Sequence, residues 1–92
     1  MNINYIRNIQ FTKLVKIQGR LREFNFRKLN GLNEGQFTVD VSDDNGNRIM
    51  FSMQKNGTNY IFYNSPTLPE WIREQESVLS ELIETELRNI PE

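Results

Sequence analysis

Seven of the eleven Lys and Arg residues stand in the first 28 positions: Arg7, Lys13, Lys16, Arg20, Arg22, Arg27 and Lys28. Only Glu23 opposes them there, so this stretch carries a local net charge of +6. From Pro69 to Glu92 the balance reverses, with seven acids against Arg73 and Arg88, a net of −5. A basic half of this kind is the electrostatic footprint expected of a phosphate-binding surface. The plainer account is a solvated first hairpin whose edge charges discourage sheet-to-sheet aggregation. In that account Lys13, Arg22 and Lys28 reach past the rim of a C-terminal helix towards its glutamates.

Neither histidine nor cysteine occurs. Their absence removes Ser-His and Cys-His nucleophilic machinery, His/Cys zinc sites, haem held by those residues, and disulfides. Carboxylates, Lys13, Ser and Tyr remain, but acid–base work needs two groups of separated pKa inside a concave site. The carboxylates cluster on the solvent side of one helix and in one turn, where water screens them. The glycines all fall in turns or loops, which leaves no phosphate-cradling loop and no nucleophile elbow. The expectation is a non-enzymatic protein with no catalytic residue, no cofactor and no metal ligand. Asp40, Asp43, Asp44, Asn45, Gly46 and Asn47 hint at a calcium loop. Aligning Gly46 with the loop glycine, however, puts Val41 where the first Asp belongs and Ser52 where the bidentate Glu belongs. A hairpin turn fits better. Asn56-Gly57-Thr58 matches the N-glycosylation acceptor, but Asn-Gly already has a turn role.

The elements that must position these groups are short strands and a helix. With 37% hydrophobic and 25% charged residues the chain has a globular composition, and residues 1–92 read as a single domain. Alternation predicts strands over about 9–18, 21–28, 36–42, 48–54 and 58–63. Gly19-Arg20 reads as a two-residue turn that sets Val15 opposite Phe24 and Lys16 opposite Glu23. The third and fourth strands align their apolar sets only if Val41 faces Ile49. Asp44-Asn45-Gly46 is then a three-residue loop with Gly46 in the left-handed region. Asn56-Gly57, taken as a type I′ turn, sets Tyr60 opposite Met53 and Phe62 opposite Phe51. Residues Met1 to Asn8 suit a short helix or a strand equally.

After Ser65-Pro66 the period changes. Trp71, Val78, Leu79, Leu82, Ile83, Leu87 and Ile90 recur at helical spacing, which predicts one amphipathic helix over about 67–90. Thr67 with Glu70 reads as a capping box, and Pro66 with Trp71 as a hydrophobic staple. The fold class is α+β: a five-stranded antiparallel meander sheet with one C-terminal amphipathic helix packed on one face. Trp71 and Leu82 are expected among the anchors.

On the uncovered face this register gathers Leu14, Met50, Ile61 and Tyr63. That set suits an unknown protein partner or a second copy of the chain in a homodimer, or lies dispersed as ordinary surface, and an unpaired edge strand offers the same use as the first two. The rival set is Lys16, Arg20, Arg22, Arg27, Lys28 and Tyr63, cations around one aromatic, for a single-stranded nucleic acid. A strand meander followed by a C-terminal helix resembles, in topology, single-stranded nucleic-acid binders of the PUR-repeat and Whirly types. The resemblance carries over no residue. An overall charge of −1 gives no global attraction to nucleic acid or anionic lipid. No cationic leader is evident, and no apolar run approaches the roughly 18 residues of a membrane span. The leading expectation is a small soluble, cytoplasmic interaction domain that self-associates through the uncovered face, with nucleic-acid binding as the alternative.

Overall fold

A computed structural model describes residues 9–28, 35–63 and 67–89. The expectations for residues 1–8 and for the Pro66 staple lie outside the described residues. Five strands follow in order, β1 (Ile9–Ile17), β2 (Arg20–Lys28), β3 (Gln36–Ser42), β4 (Arg48–Asn56) and β5 (Asn59–Phe62). They pair antiparallel as neighbours in one sheet, β1-β2-β3-β4-β5. Two helical pieces complete the chain, α1 (Glu70–Arg73) and α2 (Glu76–Arg88). The architecture is the α+β meander that alternation and helical spacing imply.

The β3–β4 hairpin has the expected register, Val41 opposite Ile49. Gly46 takes φ 83°, the left-handed value that a three-residue loop demands at its last position. Asp43 organises the loop, its Oδ1 accepting the backbone N–H of Asn45 at 2.9 Å and of Asn47 at 2.8 Å. The other two hairpins are each shifted by two residues. In the first, Ile17 pairs with Arg20 and Val15 with Arg22, so the turn is Gln18-Gly19. Both turn residues have positive φ, 53° and 78°, the signature of type I′. Lys16 therefore faces Leu21, and Glu23 faces Leu14. In the last hairpin Met53 pairs with Phe62 and Asn56 with Asn59, which makes Gly57-Thr58 the turn. A slip of two preserves every side chain's face, because the strand period is two.

The helix departs from expectation at its start. Thr67 caps nothing: α1 begins after Pro69, whose φ −63° and ψ 154° are extended, and no side chain caps it. Leu68 precedes a proline, which disfavours the helical region for that residue. It leaves the helix and is buried in the core instead. After one turn the chain breaks at Glu74–Gln75, with Gln75 at φ −99° and ψ 6°, before α2 starts. Acidic Glu76 in the first turn of α2 and basic Arg88 in its last suit the macrodipole.

The core lies between one face of the sheet and these helices. Phe24 and Phe26 of β2, Phe37, Val39 and Val41 of β3, and Phe51 and Met53 of β4 are buried against Ile72, Leu79 and Ile83. Phe11 stacks on Phe26 with centroids 4.7 Å apart, and Phe37 meets Tyr60 edge-on at 5.6 Å. Trp71 and Leu82 are only partly buried, packing at the margin. Leu79→Ala should therefore cost about 2–5 kcal/mol, a large share of a total near ~5–15 kcal/mol. Leu82→Ala should cost clearly less. Urea unfolding of the two variants checks the order, and equal losses would contradict this placement of the core.

Candidate interaction site

Three cations of the basic hairpin are paired within the fold, by two carboxylates. Lys13 Nζ lies 3.1 Å from Glu86 of α2. Asp44, in the β3–β4 loop, binds Arg20 at 2.9 Å and Arg22 at 3.0 Å. Arg22 points to the helix side, buried, with its guanidinium 4.2 Å from the centroid of the Trp71 ring. Its Nε has no hydrogen-bond partner among the described residues. This clasp joins the tip of the first hairpin, the β3–β4 loop and α1. The six residues of the nucleic-acid set are thus not brought together. Lys16, Arg27 and Tyr63 lie on the outer face, Arg22 and Lys28 on the helix side, and Arg20 at the hairpin end.

The outer face is a grid of polar rows. Thr12 donates to Asn25 at 2.7 Å, and Asn25 donates to Asp40 at 3.0 Å. Arg48 reaches over Asp40 at 3.8 Å. These side chains line a shallow open groove of about 420 Å³ together with Gln10 and Arg27. This belt divides the apolar set. Leu14 on β1 and Met50 on β4 are three strand spacings apart, about 14 Å. Tyr63, bonded through its N–H to the Ser52 carbonyl, lies beyond Met50, and Ile61 faces Gln54. The most exposed large hydrophobics of the sheet are Leu21 at 66% and Leu14 at 60%. They are diagonal neighbours on the β1–β2 hairpin, because Leu14 faces Glu23 and Lys16 faces Leu21. Leu21 is the second residue of β2, close after a turn, where alternation is too short to flag its exposure.

No protein-family model, no curated protein and no solved structure matches the chain. The reading of the site therefore rests on its geometry. Among the described residues no group of His, Cys, Asp or Glu is arranged to hold a metal ion. None of the described helices is long and apolar enough to cross a membrane.

The two edges of the sheet are treated differently. With Gly57-Thr58 as the turn, the N–H groups of Tyr60 and Phe62 point away from β4. α2 covers them. Ser80 Oγ accepts the Tyr60 N–H at 2.8 Å, and Glu76 Oε2 accepts the Phe62 N–H at 2.8 Å. Ser80 then donates its own proton to Glu84 Oε2 at 2.8 Å. The match is one of pitch. Residues four apart on a helix rise about 6 Å, and alternate residues of a strand are spaced about 6.6–6.8 Å.

At the other edge, the Gln18-Gly19 turn makes odd-numbered residues of β1 bond to β2. The N–H and C=O groups of Gln10, Thr12, Leu14 and Lys16 point outward. Among the described residues no strand or helix side chain meets them. An open strand edge of this kind is a template for pairing with another chain.

Removing the edge cap has a defined outcome. Ser80→Ala leaves the buried Tyr60 N–H without an acceptor, at about 1–3 kcal/mol, and opens a second sheet edge. Lower stability together with concentration-dependent light scattering is expected, while Ser80→Thr keeps the hydroxyl and stays clear. Unchanged stability in Ser80→Ala would contradict the cap.

Tyr60 beside this cap also sets an alkaline limit. Burial, and then the neighbouring Glu84 carboxylate, push its phenol above the ordinary value of 10.0. The folded state holds this proton more tightly than the unfolded chain does. Its contribution is therefore constant below pH ~10 and falls as pH rises beyond it. Tyr60→Phe should flatten that part of the stability profile, as read by urea unfolding at pH steps on both proteins. Parallel alkaline slopes would be the contrary result.

Proposed function

We propose that this protein is a small non-enzymatic interaction domain that docks an extended strand of its partner on the open edge of β1. The observation that carries this reading is the asymmetry of the sheet. Glu76 and Ser80 occupy the outward N–H groups of β5, while those of β1 are offered outward along nine residues. Strand addition draws affinity from main-chain hydrogen bonds and specificity from alternate side chains. Beside the edge stand Leu14 and Leu21, the two most exposed aliphatic side chains of the sheet. A single-stranded nucleic acid is the weaker occupant. Arg20 and Arg22 are spent on Asp44 and Lys13 on Glu86, so the outer face presents Lys16 and Arg27 with a single aromatic, Tyr63.

Proline tests the edge selectively. The N–H of Leu14 points outward, so Leu14→Pro removes an edge donor without taking a bond from the β1–β2 ladder. Binding to any protein partner, another copy included, should be lost with Leu14→Pro and kept with Tyr63→Ala. Loss with Tyr63→Ala alone would move the site to the outer face. A labelled single strand that binds with a steep salt slope would favour the nucleic-acid reading instead.

A further inference from the structure

We infer that the strand docked on β1 belongs to a second copy of this chain, in an antiparallel, two-fold symmetric pair centred on Leu14. The inference rests on the proposed use of the β1 edge and adds its occupant. Three features of the edge point to self-pairing.

The first is closure. A chain with both edges open would add copies head to tail, β1 on β5, and grow without limit. Here β5 is covered by α2 through Ser80 and Glu76. Only β1 on β1 remains among the described strands, an isologous contact that stops at two. The two-fold axis then runs perpendicular to the sheet. Both copies keep their helices on one side of a continuous ten-stranded sheet.

The second is register. Overlapping β1 fully with itself puts Lys13 opposite Lys13, two like charges at the axis, which is destabilising. Sliding the pair so that Leu14 opposes Leu14 takes the two lysines out of direct opposition, to the wider diagonal spacing. Lys13 then faces Val15 of the second copy, Lys16 faces Thr12, and Phe11 faces Ile17. Of the four residues whose polar backbone groups point outward, Thr12, Leu14 and Lys16 pair in this register, while Gln10 falls opposite the turn residue Gln18. The third feature is Leu14 itself, 60% exposed although it lies mid-strand on a sheet. At the axis it meets its own copy, and Leu21, diagonal to it, lengthens the apolar strip on both sides.

The chain contains no cysteine, so a single introduced thiol reports position cleanly. Sedimentation velocity on the full chain should show a dimer. Leu14→Lys, which sets two ammonium groups at the axis, should lose the dimer peak while keeping wild-type circular dichroism. Leu14→Cys should form a disulfide-linked dimer on mild oxidation, since opposed bonded residues in antiparallel strands bring their Cα atoms within disulfide reach. Met50→Cys should stay monomeric in the same gel. A wild-type monomer at its highest soluble concentration overturns the homodimer. If a different protein is then lost with Leu14→Pro, β1 is still the docking strand and only its occupant changes. A dimer that survives both Leu14→Lys and Leu14→Pro overturns the occupant and the edge together.

Discussion

Every backbone donor on the rim of a sheet must find an acceptor, and the way this protein meets that demand on β5 governs its form. Two hydrogen bonds of 2.8 Å, from Tyr60 N–H to Ser80 and from Phe62 N–H to Glu76, hold α2 along the strand edge as well as over the face. A helix laid only on the hydrophobic face is free to slide. One that must also place residues four apart against alternate strand amides is held in register. From that position Leu79 and Ile83 enter the core, and Glu86 comes within reach of Lys13 on the far side of the curled sheet.

The charge segregation along the chain is answered in part within the fold. Lys13 with Glu86 is the direct example, and Asp44 gathering Arg20 and Arg22 is its counterpart in the β3–β4 loop. The Arg20 arm is exposed and adds little on its own. Arg22 differs, since its guanidinium is buried between the Asp44 carboxylate and the Trp71 ring. Removing the Asp44 carboxylate strands a buried charge, whereas removing Arg22 leaves Asp44 exposed and still paired with Arg20. Part of a polarity pattern that looks like a binding surface in one dimension is here an internal bond in three.

Much of this was legible in the residues, and the losses have physical causes. The β3–β4 hairpin was readable because the Val41–Ile49 alignment and Gly46 agreed on one loop length. The two neighbouring hairpins were misread by two residues, since alternation specifies faces and not sliding in steps of two. The turn residues had to decide, and Gln18 in the left-handed region, at φ 53°, is not a residue that advertises such a turn. The capping box at Thr67 failed because Pro69 acts on Leu68 before any cap can form. The break at Glu74–Gln75 has neither glycine nor proline to mark it. Spacing did reveal the apolar stripe of α2, whereas the acceptor role of Ser80 depends on which strand lies beside it. The apolar residues of the outer face share that face, but Leu14 and Met50 are separated across the sheet, a distance that spacing along the chain does not show.

An edge closed by side chains and an edge left open differ in one observable, the exchange of individual amide protons with solvent. At high dilution the amides of Tyr60 and Phe62 should exchange as slowly as those paired in the β4–β5 ladder. Those of Thr12, Leu14 and Lys16 should exchange fast, and then slow as the concentration of the chain is raised. Rapid exchange at Tyr60 and Phe62, or slow exchange at Leu14 that dilution does not relieve, would contradict the account.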